Sequence, residues 1–297
     1  MPRTRPRTAQ PECAGWEEPG RPSPARPTVV TTPPTRARWS RLISRTATGA
    51  AHEVIAAAAA VGSTAFRPVG ETVLGVRGRR QLLPVSPVRD QAARPVVLVH
   101  GFAAKRTCWF ALRRALHADG RTIVSFDYSP SASSVDELAD RLIETVEDLL
   151  AVTGADQVHL VGHSLGGVII AHALTGDRLA GLVDRVITLG SPFGGTPWAG
   201  LLPVGPLVWA LRPGSPLLRR LAAAPPPTGV RWLAIVSTLD PIVPADRAVP
   251  AHRDATCLRI TGTGHAGMLV APDVIARIVA ATTATRRTAE HGDLLAA

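Results

Sequence analysis

The chain has 297 residues, of which 45% are hydrophobic, and a formal net charge of +10. Its length and apolar content allow a sizeable core, which indicates a globular protein and excludes a wholly disordered chain. The first 45 residues hold nine arginines against three glutamates, a net charge of +6, which leaves +4 for the other 252 residues. Most of the basic charge therefore belongs to a tail, and we expect no nucleic-acid partner.

The N-terminal region divides into two parts. Residues 1–48 are rich in arginine and proline and lack apolar periodicity, so we predict a disordered tail. Residues 49–93 are predicted to be a helical or extended lead-in, and residues 286–297 a C-terminal tail. Within 36–62, apolar residues alternate with arginines, which predicts a helix that either anchors to anionic membrane or packs on the main domain.

The sequence shows no clear export signal. The apolar stretch 54–62 lies far from the N-terminus, and no run reaches the roughly 18 apolar residues of a spanning helix. We therefore expect a cytoplasmic or peripheral membrane location rather than secretion.

From residue 94 the pattern changes to short apolar runs separated by helical segments. The runs are apolar at both odd and even positions, as in strands of a mostly parallel sheet covered on both faces. They lie at 95–99, 122–126, 157–161, 185–189, 231–236 and 257–260. Between two of them, Ser134 and Glu137 form a capping box that opens a helix over 134–152. This alternation predicts an α/β domain over 94–285, with helices on both faces of the sheet.

The stretch GHSLG at 162–166 fits the nucleophile-elbow pattern G-x-S-x-G. A strand is predicted to end at Val161 and a helix to begin near Leu165, so Ser164 would stand exposed on a tight strand-to-helix turn. The glycines relieve crowding there, and the helix N-terminus favours developing negative charge. We interpret Ser164 as a nucleophile; the other interpretation is a glycine-rich turn with an incidental serine.

Residues 191–230 form an insertion too long for an ordinary connection. Its apolar residues, interrupted by prolines, predict short helices that either form a lid over the site or complete the core. Trp198 and Trp209 lie in this insertion and are predicted to contact a substrate.

A serine nucleophile needs a histidine base and an acid, in the order Ser, Asp or Glu, His. Asp240 and His265 have this order, and each follows a predicted strand. Asp246 is a substitute for the acid, and Asp254 with His252 is another pair; each lies further from its preceding strand.

Acyl transfer also needs donors for an oxyanion. The Leu165 amide is one, and the loop after the strand VLV at 97–99 supplies the Phe102 amide, because Gly101 lets the chain bend. His100, Gly101 and His163 are predicted to line the substrate site, and neither histidine is needed as a second base.

Together, VLVHGF (97–102), GHSLGG (162–167), TLGSPFGGTP (188–197), LDPIVP (239–244) and GHAG (264–267) resemble the α/β-hydrolase superfamily, in particular bacterial triacylglycerol lipases and esterases. The resemblance covers about residues 94–285. It implies an α/β-hydrolase fold with a helical lid or cap. It also implies a triad of Ser164, Asp240 and His265, with Phe102 and Leu165 as oxyanion donors.

The resemblance implies hydrolysis of acyl esters, with a small-molecule or lipid ester as the substrate and possible peripheral membrane contact. An acyltransferase or thioesterase would use the same triad, and a non-catalytic protein binding through its basic tail is a further alternative. Calcium ligands found in some such lipases have no match here, so we expect neither a metal nor a cofactor.

Overall fold

In the computed structural model, the described residues are 94–129, 131–132, 134–201, 205–252 and 254–283. The predicted tail 1–48, lead-in 49–93 and C-terminal tail 286–297 lie outside them, as does the predicted helix within 36–62. The bounds of the predicted domain thus stay a prediction.

The core of the fold is a parallel sheet of six strands in the order β2-β1-β3-β4-β5-β6. All six predicted strands are present: β1 Val96–Val99, β2 Ile123–Phe126, β3 Val158–His163, β4 Val183–Leu189, β5 Arg231–Ser237 and β6 Ala255–Ile260. In β1, β3 and β4 every residue is buried. This burial explains why these segments are apolar at both odd and even positions.

Helices cover both faces of this sheet. They are α1 Phe110–Ala118, α2 Val135–Thr153, α3 Leu165–Ala173, α4 Trp198–Leu201, α5 Gly205–Trp209, α6 Pro216–Ala223 and α7 Pro272–Thr283. Single 3₁₀ turns lie at Arg106–Trp109, Asp177–Leu179, Ala245–Arg247 and Gly267–Leu269. None of the described helices is long and apolar enough to cross a membrane.

The helix predicted over 134–152 is α2, and its predicted cap is present. The Ser134 hydroxyl accepts a hydrogen bond from the Glu137 amide at 3.0 Å, and Gly154 ends the helix with a left-handed φ of 69°. Both ends therefore satisfy main-chain groups that the helix itself leaves unpaired.

The core has two main layers, one on each face of the sheet. Helices α2 and α3 pack on one face together with residues of the insertion. Helices α1 and α7 cover the other face, through side chains such as Leu112, Leu116, Val274 and Ile278. The domain is thus a three-layer α/β structure, as the alternation of strands and helices predicted.

The insertion between β4 and β5 contains α4, α5 and α6. It buries Leu207, Leu211, Leu217 and Leu218 in the same layer as α2 and α3. This burial shows that the insertion completes the core, and its role as a lid stays a prediction.

Candidate active site

The parallel sheet gathers the predicted site residues at one edge. All six strands run in the same direction, so the residues that follow them meet at their carboxyl ends. Ser164 follows β3, Asp240 lies three residues beyond the end of β5, and His265 lies five residues beyond the end of β6. The loop after β1 carries Gly101 and Phe102 to the same edge.

Ser164 occupies a strained strand-to-helix turn. Its φ of 53° and ψ of −124° lie where a residue with a Cβ is rarely found. A conformation of this kind costs about 1–3 kcal/mol and persists only when the surroundings impose it. Here the Ser164 amide donates to the Leu189 carbonyl at 2.9 Å, and the Ser164 carbonyl accepts from the Gly167 amide at 3.1 Å.

The two glycines of the motif allow the turn to pack closely against main chain. A Cβ at Gly162 would lie 2.6 Å from the Gly167 nitrogen. A Cβ at Gly166 would lie 2.1 Å from the Val99 carbonyl oxygen. Both positions therefore need glycine because there is no room for a side chain.

His265 and Asp240 form a direct hydrogen bond. The Nδ1 atom of His265 lies 2.7 Å from Oδ2 of Asp240. Since a carboxylate only accepts, Nδ1 carries a proton, and in the neutral ring the lone pair is then on Nε2. The other carboxylate oxygen, Oδ1, accepts from the Ile242 and Val243 amides, both at 2.8 Å. The Asp240 side chain is only 1% exposed, and both of its carboxylate oxygens are hydrogen-bonded.

The structure does not bring the alternative acids to this imidazole. Asp246 and Asp254 are exposed, and His252 packs its ring against Trp232, with centroids 4.9 Å apart. The partner of His265 is Asp240.

His265 lies beside the serine turn. Its ring centroid is 4.6 Å from that of His163, the residue that precedes Ser164. Its carbonyl oxygen lies 3.0 Å from Nε2 of His163. The pKa of His163 is lowered to about 3, mainly because the ring is buried and secondly because His265 is nearby.

The predicted oxyanion donors lie on both sides of the serine. Leu165 is the first residue of α3, so its amide has no acceptor within the helix. Phe102 lies in a turn closed by the Ala104 amide and the Gly101 carbonyl at 3.2 Å. A Cβ at Gly101 would lie 3.0 Å from Cβ of Ser164, so this loop packs directly on the nucleophile turn. The donor roles stay predictions.

His100 shapes the loop after β1. It is fully buried, its ring stacks on Tyr128 with centroids 4.2 Å apart, and its carbonyl accepts from the Tyr128 hydroxyl at 2.9 Å. Its Nε2 lies 3.1 Å from Asp127, and this hydrogen bond is the main reason that the pKa of Asp127 is lowered. Because His100 and His163 are both buried, the structure does not favour the predicted substrate contacts of either side chain.

Trp198 and Trp209 are exposed, at 45% and 48%. Trp198 donates from Nε1 to the Pro241 carbonyl at 2.8 Å, which places it beside the Asp240 loop. Trp209 instead carries the Arg212 guanidinium over its ring at 5.7 Å. Substrate contact by either tryptophan stays a prediction.

Sequence reasoning missed two features of this edge. Leu239 and Ile242 are exposed and flank Asp240, so with Trp198 they form what we call the apolar rim. Gly190 has a φ of 51°, and a Cβ there would lie 2.9 Å from Oδ2 of Asp240. Gly190 in TLGSPFGGTP was a sequence signal for the second feature. No such signal exists for the first, because the apolar pattern does not distinguish Leu239 and Ile242 from core residues.

Among the described residues, no group of three or more histidine, cysteine, aspartate or glutamate side chains is arranged to hold a metal ion. The groups that meet at this edge suit proton transfer and nucleophilic attack.

Comparison with known proteins extends these observations. A model of the alpha/beta hydrolase family matches residues 96–234. The triacylglycerol lipase of Vibrio cholerae serotype O1 is 33% identical over 117 residues, which are 38% of this chain and 36% of the lipase. Norfluorocurarine synthase 2 of a Strychnos species is 36% identical over 84 residues, 26% of this chain and 32% of that protein. The chain thus spans about a third of the length of these curated relatives.

Solved structures show the same fold. The mature lipase BlEst2 of Bacillus licheniformis superposes with a TM-score of 0.56 at 19% identity, over 65% of this chain and 95% of that one. Lipase B of Aspergillus fumigatus superposes with a TM-score of 0.58 at 21% identity, over 68% of this chain and 55% of that one. At these identities the likeness concerns the fold.

Proposed function

We propose that this chain, which has the α/β-hydrolase fold and resembles bacterial lipases and esterases, is a serine hydrolase of carboxylic esters. One observation carries the proposal: the hydrogen-bonded pair of His265 and Asp240 lies beside the strained turn that holds Ser164. An imidazole whose Nδ1 is bound to a carboxylate has Nε2 free to accept a proton.

In the first half of the proposed reaction, Nε2 of His265 takes the proton from the Ser164 hydroxyl. The serine oxygen attacks the ester carbonyl, and the amides of Phe102 and Leu165 donate to the oxyanion that forms. Asp240 holds the imidazole in the required tautomer and stabilises its positive charge. The tetrahedral intermediate then collapses, and His265 protonates the departing alcohol.

In the second half, water replaces the alcohol. His265 takes a proton from this water, which attacks the acyl-enzyme, and the carboxylic acid leaves as Ser164 regains its proton. Every proton transfer in this scheme uses a protein group or water.

We further propose that the acyl ester is lipid-like. The apolar rim of Trp198, Leu239 and Ile242 borders the Asp240 loop with exposed apolar surface. Such surface favours contact with a hydrocarbon chain because that contact removes both from water. The triacylglycerol lipases among the relatives support the same substrate class.

The test is hydrolysis of p-nitrophenyl esters of increasing acyl length by the full chain. We expect turnover to rise from acetate to medium-length acyl chains, and Ser164→Ala to lower kcat by at least about 10⁴-fold. Ser131→Ala is the matched control, because this serine is exposed and its hydroxyl is hydrogen-bonded to that of Ser129, away from Asp240 and His265. A labelled fluorophosphonate should attach to Ser164 alone.

Unchanged turnover in Ser164→Ala would refute the assignment of the nucleophile. Activity confined to acetyl esters would leave the hydrolase proposal standing but refute the lipid-like substrate.

A further inference from the structure

His163 is a buried histidine that lies against the proposed base and takes no part in the proposed reaction. His163 is the last residue of β3 and directly precedes Ser164. Its ring lies 4.6 Å from that of His265 and meets the edge of Trp109 at 6.5 Å. A polar side chain is seldom buried in this way unless its hydrogen bonds serve the structure around it.

The hydrogen bond of His163 is made to the main chain of the proposed base. Its Nε2 lies 3.0 Å from the carbonyl oxygen of His265, across 102 residues of sequence. A carbonyl only accepts, so Nε2 must carry the proton and donate it. Burial lowers the pKa of His163 to about 3, so the ring is neutral at neutral pH and its lone pair is on Nδ1.

The opposite side of the ring faces the loop after β1. A Cβ at Gly101 would lie 3.1 Å from Nδ1 of His163 and 3.0 Å from Cβ of Ser164. His163 is therefore held between three segments: the oxyanion loop, the nucleophile turn and the loop of the base.

From this arrangement we infer that His163 is a positioning residue: its Nε2–H holds the carbonyl of His265 and thereby fixes where the imidazole of His265 meets Ser164. The inference rests on the proposed function. It assigns His163 an action through the main chain of the base, without contact to the substrate.

Neutrality of His163 is part of this role. The imidazole of His265 becomes positive when it takes the serine proton, and a second positive ring at 4.6 Å would oppose that step. Burial keeps His163 uncharged, with a pKa of about 3. At neutral pH it can therefore hold the base without adding charge.

The test compares replacements that keep or remove the donor. In His163→Gln, the amide nitrogen reaches about as far as Nε2 of histidine and can donate. His163→Leu fills similar space without a donor, and His163→Asn has a donor that is too short to reach. We expect His163→Gln to retain kcat within about 5-fold and the other two to lose about 100-fold, because a misplacement near 1 Å costs this much. KM should change little in all three.

His159 provides the matched control. It is also a buried histidine of β3, four residues earlier and so about 13 Å away along the strand. His159→Leu should lower stability yet keep kcat per folded molecule. Circular dichroism at the assay temperature gives the folded fraction of each variant.

A second readout does not depend on turnover. The Nδ1 proton of His265, hydrogen-bonded to Asp240, should give a proton NMR signal well downfield of the amides in the wild type and in His163→Gln. We expect this signal to shift or broaden in His163→Leu and His163→Asn, because the ring is less well fixed.

The inference is wrong if His163→Leu keeps the wild-type kcat, or if His163→Gln is impaired as much as His163→Leu. Failure of the proposed function looks different, because the wild type itself would then hydrolyse no ester. In that case the NMR comparison still decides whether His163 positions His265.

Discussion

Burial of His163 should make the folded protein sensitive to mild acid. Its pKa is about 3 when folded, because burial penalises the charged ring, against 6.5 for an ordinary histidine. Between these values the unfolded chain binds a proton that the folded chain does not, so stability falls as the pH is lowered through 6.5 toward 3. Between pH 7 and pH 5 this one group should cost about 2 kcal/mol of unfolding free energy.

The assay is urea unfolding at pH 7 and pH 5, followed by circular dichroism, for the wild type and His163→Gln. The variant should lose about 2 kcal/mol less over this interval. Other groups, including His159, whose pKa burial also lowers, contribute equally to both proteins. His117→Gln is the control, because it makes the same substitution at an exposed histidine. Equal pH dependence in the wild type and in His163→Gln would refute the reasoning.

Three further changes test the site and the fold. Asp240→Asn should lower kcat by about 10⁴-fold in steady-state assays while the fold is kept, because the amide favours the wrong tautomer of the base; a loss below 10-fold would speak against Asp240 as the acid. Gly166→Ala should cost about 3 kcal/mol or more by thermal unfolding, because its Cβ would lie 2.1 Å from the Val99 carbonyl oxygen. Gly176→Ala, with open space around it, is the control and should be nearly neutral. Ser134→Ala should cost about 1 kcal/mol in urea unfolding, because the cap of α2 is lost, and no change would show that the cap is not needed.

The sequence predicted the sheet well because strands buried on both faces leave a distinctive pattern. Residues of β1, β3 and β4 are buried throughout, and apolar residues occupy both odd and even positions in them, although β3 also buries His159 and β4 also buries Asp184 and Arg185. The parallel arrangement then places Asp240 and His265 at one edge whatever the loop conformations are. Their hydrogen bond at 2.7 Å follows from loop geometry that the sequence does not contain.

Burial and exposure at the site edge were harder to predict. In STLDPIVP, Leu239 and Ile242 are of residue types common in protein cores, yet they are exposed, whereas Val243 is buried. His163 was expected to contact substrate, yet its partner is a carbonyl 102 residues away. Only the packing of β6 beside β5 and of the following loop over β3 brings these groups together, and local pattern carries no information on such contacts.

The position of the nucleophile is set mainly by the main chain. The positive φ of Ser164 costs about 1–3 kcal/mol. Two main-chain hydrogen bonds hold the residue in this conformation: its amide donates to the Leu189 carbonyl, and its carbonyl accepts from the Gly167 amide. The glycines at 162 and 166 make these bonds possible, since any side chain there would push the turn away from its neighbours. His163 positions the base in the same way, because it holds the main-chain carbonyl of His265 and leaves the imidazole free. The two groups that exchange a proton in the proposed reaction are thus placed through their backbones, and their side chains remain available for chemistry.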